Sequence, residues 1–151
     1  MSDLAPTGRL VFTPRPAPVS PRLRPVRRVA LLLEMVDKCR GRRATLLQLH
    51  ALDTALIDPA ARQRLSGDHD NLITFTVVRI DPALNRAVDR ALGDGLLAMG
   101  AEGTVQLTEA GNVALREIRA RRALAPERAL LSEIDGKLTQ RSVRLATGVA
   151  S

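Results

Sequence analysis

Aromatic side chains are almost missing from this 151-residue chain: there is no Trp and no Tyr, and Phe occurs only as Phe12 and Phe75. Proteins that hold single-stranded nucleic acid stack its bases on aromatic rings, so that mode of binding is excluded. The core must come from Leu, Val, Ile and Ala, which suits helices packed on a small sheet. One cysteine, Cys39, excludes an internal disulfide and fits a reducing compartment. No apolar run approaches the roughly 20 residues of a membrane helix; the longest is Val29 to Leu33. The first residues lack a signal-type apolar region, so the expectation is a soluble, cytoplasmic protein without membrane contact.

Catalytic signatures are also lacking. The chain holds no phosphate-binding Gly-rich loop, dinucleotide fingerprint or serine-nucleophile motif. The stretch GDHDN groups Asp68, His69 and Asp70, but adjacent residues seldom converge on one metal and no second His stands at ligand spacing. His50 falls within a helical pattern, where a solvated or partly buried imidazole is the ordinary outcome. Cys39 lies between Lys38 and Arg40, cations that favour a thiolate, yet no partner base accompanies it. These readings lead to no enzyme, no cofactor and no metal.

What the chain does have is positive charge in one place. Residues 1 to 44 hold ten Lys or Arg and three acids, whereas the remaining residues hold thirteen of each sign. The formal net charge of +7 therefore belongs to the first part of the sequence. Arg22, Arg24, Arg27 and Arg28 form one group, and Arg40, Arg42 and Arg43 a second. Such groups suit phosphates, in salt-sensitive and sequence-blind contact, or an acidic face of a partner protein. Residues 1–24 also contain five of the nine prolines, which favours an extended arm. Within it, Leu10, Val11 and Phe12 make an apolar patch able to dock on a partner.

Periodicity then sets out the elements. A first helix is expected from Pro25, with Val26, Val29, Leu33 and Val36 on one face and Gly41 as its stop. Thr45 caps a second helix with Leu46, Leu49, Leu52 and Leu56 inward, closed by Pro59. The run ITFTVVRID is β-branched and reads as a strand. Asp81 and Pro82 open a third helix whose inner face is Leu84, Ala87, Val88, Ala91 and Leu92. GLLAM, GAEG and TVQL then read as a hairpin, after which Thr108 caps a fourth helix and Gly111 permits close packing. After Pro126 a fifth helix is expected, weakened at Gly136.

The fold class expected is mainly α with a small β-sheet (α+β). A helix followed at once by a tight hairpin points to a winged-helix-like domain over 25–124. An extended arm over 1–24 precedes it, and a C-terminal helix over 125–151 packs on the domain or on a partner. Leu131, Ile134 and Leu138 give that last helix an apolar face for such docking. In a winged helix the first strand usually lies between helices one and two; the strand signal here precedes helix three.

If the domain reads duplex DNA, Asn85, Arg86 and Arg90 on the third helix are the contacts. Against this, residues 81 to 103 hold two Arg and four acids, and the hairpin tip carries Glu102 without a Lys or Arg.

The stretches RRVALLLEMVDKC, TLLQLHALDTAL, LNRAVDRALGDGLLAMGAEGTVQLTEAG and PERALLSEIDGKLTQRSV together resemble the small middle component of bacterial three-component ABC-ATPase systems. That group includes Lamassu-type antiphage defence, and the resemblance spans about residues 22 to 143. It implies a non-catalytic adaptor between an SMC/Rad50-like ATPase that senses DNA and an effector, often a nuclease, with DNA reached through the complex. The alternative is a small winged-helix transcriptional regulator that binds duplex DNA as a homodimer.

Overall fold

The computed structural model describes residues 24–66, 78–134 and 136–148. Its first helix, α1 (Pro25–Lys38), begins with proline at a position where a missing N–H costs nothing. Almost every residue from Arg28 to Asp37 is buried, so α1 runs through the middle of the molecule. The expected one-sided pattern is therefore corrected: Arg28, Glu34 and Asp37 are inside, while Val26 is 74% exposed.

After α1 the backbone turns through Gly41 and Arg42, both at positive φ, into the short strand β1 (Arg43–Ala44). Thr45 then caps α2 (Leu46–Ile57) in a reciprocal box. Its hydroxyl accepts the Gln48 N–H at 3.2 Å, and the Gln48 side-chain oxygen accepts the Thr45 N–H at 2.8 Å. Pro59 does not merely close α2. Asp58 accepts the Ala60 N–H at 2.9 Å and Pro59 starts a further helix, α3 (Pro59–Leu65). Of the run expected as a strand before the next helix, residues 73–77 lie outside the described residues, and 78–80 are not in a strand. The strand that joins the sheet is β1, between α1 and α2.

Asp81 and Pro82 open α4 (Pro82–Gly93), with Leu84, Ala87, Val88 and Ala91 inward as their spacing requires. The hairpin β2 (Leu97–Met99) and β3 (Val105–Leu107) follows. Leu97 pairs with Leu107 and Met99 with Val105, while Ala44 of β1 pairs with Val105 from the other side. The sheet is thus antiparallel in the order β1-β3-β2. The hairpin tip is held by the Thr104 hydroxyl, which donates to the Ala101 carbonyl at 2.7 Å, and Glu102 and Gly103 there adopt positive φ.

Thr108 caps α5 (Glu109–Ala120) by accepting the Gly111 N–H at 3.0 Å. The expected long last helix is instead two, α6 (Ala125–Ser132) and α7 (Gln140–Thr147). Between them Gly136 takes φ +63°, and Leu138 forms a parallel bridge to Cys39. Leu131, Ile134 and Leu138 are buried in the same core as α1 and α2, so the docking role expected of them is corrected: their own chain covers them. The molecule is mainly helical with one small antiparallel sheet.

Gly111 marks the tightest approach. A Cβ there would overlap the Leu96 carbonyl oxygen at the root of the hairpin. Alanine normally favours a helix over glycine by up to about 1 kcal/mol; here the overlap reverses the sign. Gly111→Ala should lower unfolding free energy by about 1–3 kcal/mol in urea titration. Gly93→Ala on α4, with open space around it, should be neutral or slightly stabilising.

Candidate functional site

The basic residues divide sharply once placed. Arg28 is buried and donates to Asp53 at 3.1 Å and to Asp81 at 3.0 Å. Asp81 in turn accepts the Ala83 N–H at 2.9 Å, so one guanidinium ties α1 and α2 to the first turn of α4. The expectation that Arg28 meets a phosphate or an acidic partner is corrected: it is consumed inside the chain. Arg27 pairs with Glu127 on α6. Arg42 reaches Asp37 at 3.2 Å and Asn112 at 3.0 Å. Arg24 and Arg43 stand exposed, whereas Arg22, Leu10, Val11 and Phe12 lie outside the described residues.

A second ionic cluster surrounds the other end of α1. The Arg119 guanidinium donates to Glu34 and to Asp37, each at 2.8 Å, and Arg128 donates to Glu34 at 3.2 Å. Hydrogen bonding to Glu34 first, then to Asp37, outweighs burial and pushes Arg119 further above the usual arginine range.

Two of the three residues expected to contact DNA on α4 are engaged within the chain. Asn85 is engaged inward, its side-chain oxygen 3.0 Å from Nε2 of the buried His50. His50 Nδ1 accepts the Asp81 N–H at 3.4 Å, which leaves Nε2 as the donor to Asn85. His50 therefore braces α4 and holds no lone pair free for a metal. Arg90 lies 3.7 Å from Asp94 one turn on, and Arg86 is exposed without an ion pair among the described residues. Asp68, His69 and Asp70 lie outside the described residues.

The apolar surface that sequence reasoning missed is a groove of about 520 Å³ between the start of α1 and the end of α5. Val26 and Ala30 form one wall, and Ala114, Ile118, Ala123 and Leu124 the other. Arg24, Arg27, Arg121 and Glu117 rim it. A small apolar patch with a charged rim is the anatomy of a protein contact. The signal available in the sequence was Val26, whose place in the helical repeat hid its exposure. Comparison with family models, curated proteins and solved structures returns no match.

Two outcomes follow from these placements. Arg28→Ala leaves the buried Asp53 without its cation and should cost on the order of 3 kcal/mol in urea unfolding. Arg24→Glu, on the open surface, should change stability by less than about 0.5 kcal/mol. Burial pushes the Cys39 thiol up to about 12 despite Lys137 and Lys38 nearby. Its folded value exceeds the unfolded value of 9.0, so the native state keeps a proton that the unfolded chain releases. Stability should then fall as pH rises from about 9 towards 12. At pH 8 the native thiol should resist iodoacetamide, and denaturation should expose it to rapid labelling.

Proposed function

We propose that this chain is a non-catalytic, winged-helix-like adaptor that joins an SMC-like ABC ATPase to an effector in a bacterial antiphage complex. Three things support the winged-helix reading. Strand β1 sits between α1 and α2, α4 runs directly into the β2–β3 hairpin, and the sheet order is β1-β3-β2. Helix α3 is an addition between the second and third helices of that plan.

The observation that carries the adaptor reading is the contrast between two surfaces. The α4 and hairpin face, which would enter DNA, combines Asp89, Asp94 and Glu102 with Arg86 and Arg90. Acids facing phosphates oppose binding, and the tip between Gly100 and Thr104 carries no cation. The groove at α1 and α5 is apolar and open, with Val26 presented to solvent. A protein contact uses the second surface; a sequence-reading regulator needs the first. The resemblance of the α1, α2, α4–hairpin and α6 segments to the middle component of ABC-ATPase systems points the same way. In that role the chain clamps the effector to the ATPase and holds it inactive until DNA is sensed.

Co-expression with the products of adjacent genes tests this directly. The chain should co-purify with a large coiled-coil ATPase, and Val26→Glu should reduce recovery at least tenfold without changing the melting temperature. Sequence-selective binding of the chain alone to its own promoter, with no ATPase association, overturns the adaptor reading in favour of a dimeric regulator.

A further inference from the structure

A second surface stands apart from the groove and from the α4 face. Three segments far apart in sequence meet around an open cleft of about 640 Å³. They are the turn from α1 into β1, the hairpin tip, and the first turn of α7. Each of the two helix-flanking segments contributes arginine: Arg40 and Arg43 from the first, Arg141 from the last. All three are exposed, and among the described residues none of these side chains pairs with a carboxylate or donates a hydrogen bond. This sets them against Arg27, Arg28, Arg42, Arg119 and Arg128, every one of which is paired within the chain.

The turn itself sorts the cations. Gly41 and Arg42 both take positive φ, and the chain reverses so that Arg42 points to Asp37 and Asn112. Arg40 and Arg43 are left on the cleft side, with the Arg43 side chain lying against Gly41. Among the described residues the only acid on the lining is Glu102. Gln48, Thr104, Thr139 and Gln140 also line it, the Thr104 hydroxyl donating to the Ala101 carbonyl and the Thr139 hydroxyl capping α7. The first turn of α7 closes one side, and its N–H groups add partial positive charge to the three guanidiniums.

Three guanidiniums without a partner among the described residues line one cleft, and each offers paired N–H donors that match the oxygens of an anion. The cleft holds no aromatic ring on which a base could stack, and its charged groups are nearly all cations. We propose that this cleft binds phosphate groups, with Arg40, Arg43 and Arg141 as the ligands. The same chemistry is offered by successive phosphodiesters of a nucleic-acid backbone and by a free polyphosphate. Contact of this kind needs no base reading, and it is independent of the adaptor role and of α4.

The test uses the full chain, a fluorescein-labelled 20-base-pair duplex of arbitrary sequence, and inorganic triphosphate as competitor. Anisotropy at low salt should give binding that Arg40→Gln/Arg43→Gln/Arg141→Gln weakens at least tenfold. The slope of log affinity on log salt should become shallower by about 2.7, as three lost phosphate contacts require. Arg86→Gln/Arg90→Gln on α4 should leave both quantities unchanged, and Glu102→Lys should tighten binding. Single Arg141→Gln, an exposed substitution that leaves the Thr139 cap intact, should give a partial loss and guards against misfolding of the triple variant. Displacement of the duplex by triphosphate identifies a shared site, and triphosphate binding without duplex binding assigns the cleft to a free polyphosphate. Equal affinity of wild type and triple variant for both probes overturns the proposal, as does binding of neither probe.

Discussion

The carboxylate of Glu34, 3% exposed at residue level, sits in the middle of a helix surrounded by the rest of the molecule. An ionised carboxylate in such a place costs several kcal/mol unless cations and hydrogen bonds meet it. Arg119 from α5 and Arg128 from α6 supply both, reaching across 85 and 94 residues of sequence. Helix α1 can therefore be buried on every side only in a chain that also places α5 and α6 against it. The hydrophobic contacts of Leu32, Leu33, Met35 and Val36 supply most of the driving force. The pairing at Glu34 determines which helices are permitted to deliver it. At the other end of α1, Arg28 does the same for α2 and α4 through Asp53 and Asp81.

This sorting of charge bears on how the surface works. A chain whose first 44 residues look like a cationic patch turns out to spend Arg27, Arg28 and Arg42 on its own carboxylates. Among the described residues, exposed arginines without an ion pair gather in two places, Arg24 and Arg121 around an apolar groove and Arg40, Arg43 and Arg141 around a cleft. Two surfaces of different chemistry are then available at once, and α4, braced from within by His50 and Arg28, belongs to neither lining.

Local chemistry was readable from the residues wherever it was local. Thr45, Asp81 and Thr108 cap the helices that their hydroxyl and carboxylate groups suggest, and Gly111 provides the close approach that its missing side chain allows. The hairpin after α4 was visible from two short apolar runs around a Gly-flanked turn. What escaped depends on distant partners. Strand β1 is Arg43-Ala44, two residues with no β-branched side chain, and it is a strand only because β3 lies beside it. Arg28 differs from Arg27 in sequence by one position, yet Asp53 and Asp81 draw it inside. The periodic run after Pro126 reads as one helix. The bridge between Leu138 and Cys39, with Gly136 at positive φ, breaks it in two.

That bridge also completes α1. The last carbonyls of a helix have no partners within it; here Lys38 accepts the Leu138 N–H at 3.0 Å and Asp37 accepts the Lys137 ammonium at 2.6 Å. The Leu138 carbonyl returns the contact by accepting the Arg40 N–H at 2.8 Å. Helix α1 is thus finished by a segment made a hundred residues later. Closing so long a loop adds entropy cost slowly with length, but it orders events in time. Without residues 137 and 138 the end of α1 lacks these partners, and the turn that carries Arg40 and Arg43 loses the acceptor of the Arg40 N–H. The segment that closes α1 leads straight into α7 and Arg141, so a chain cut short before residue 137 lacks both the latch and one wall of the cleft.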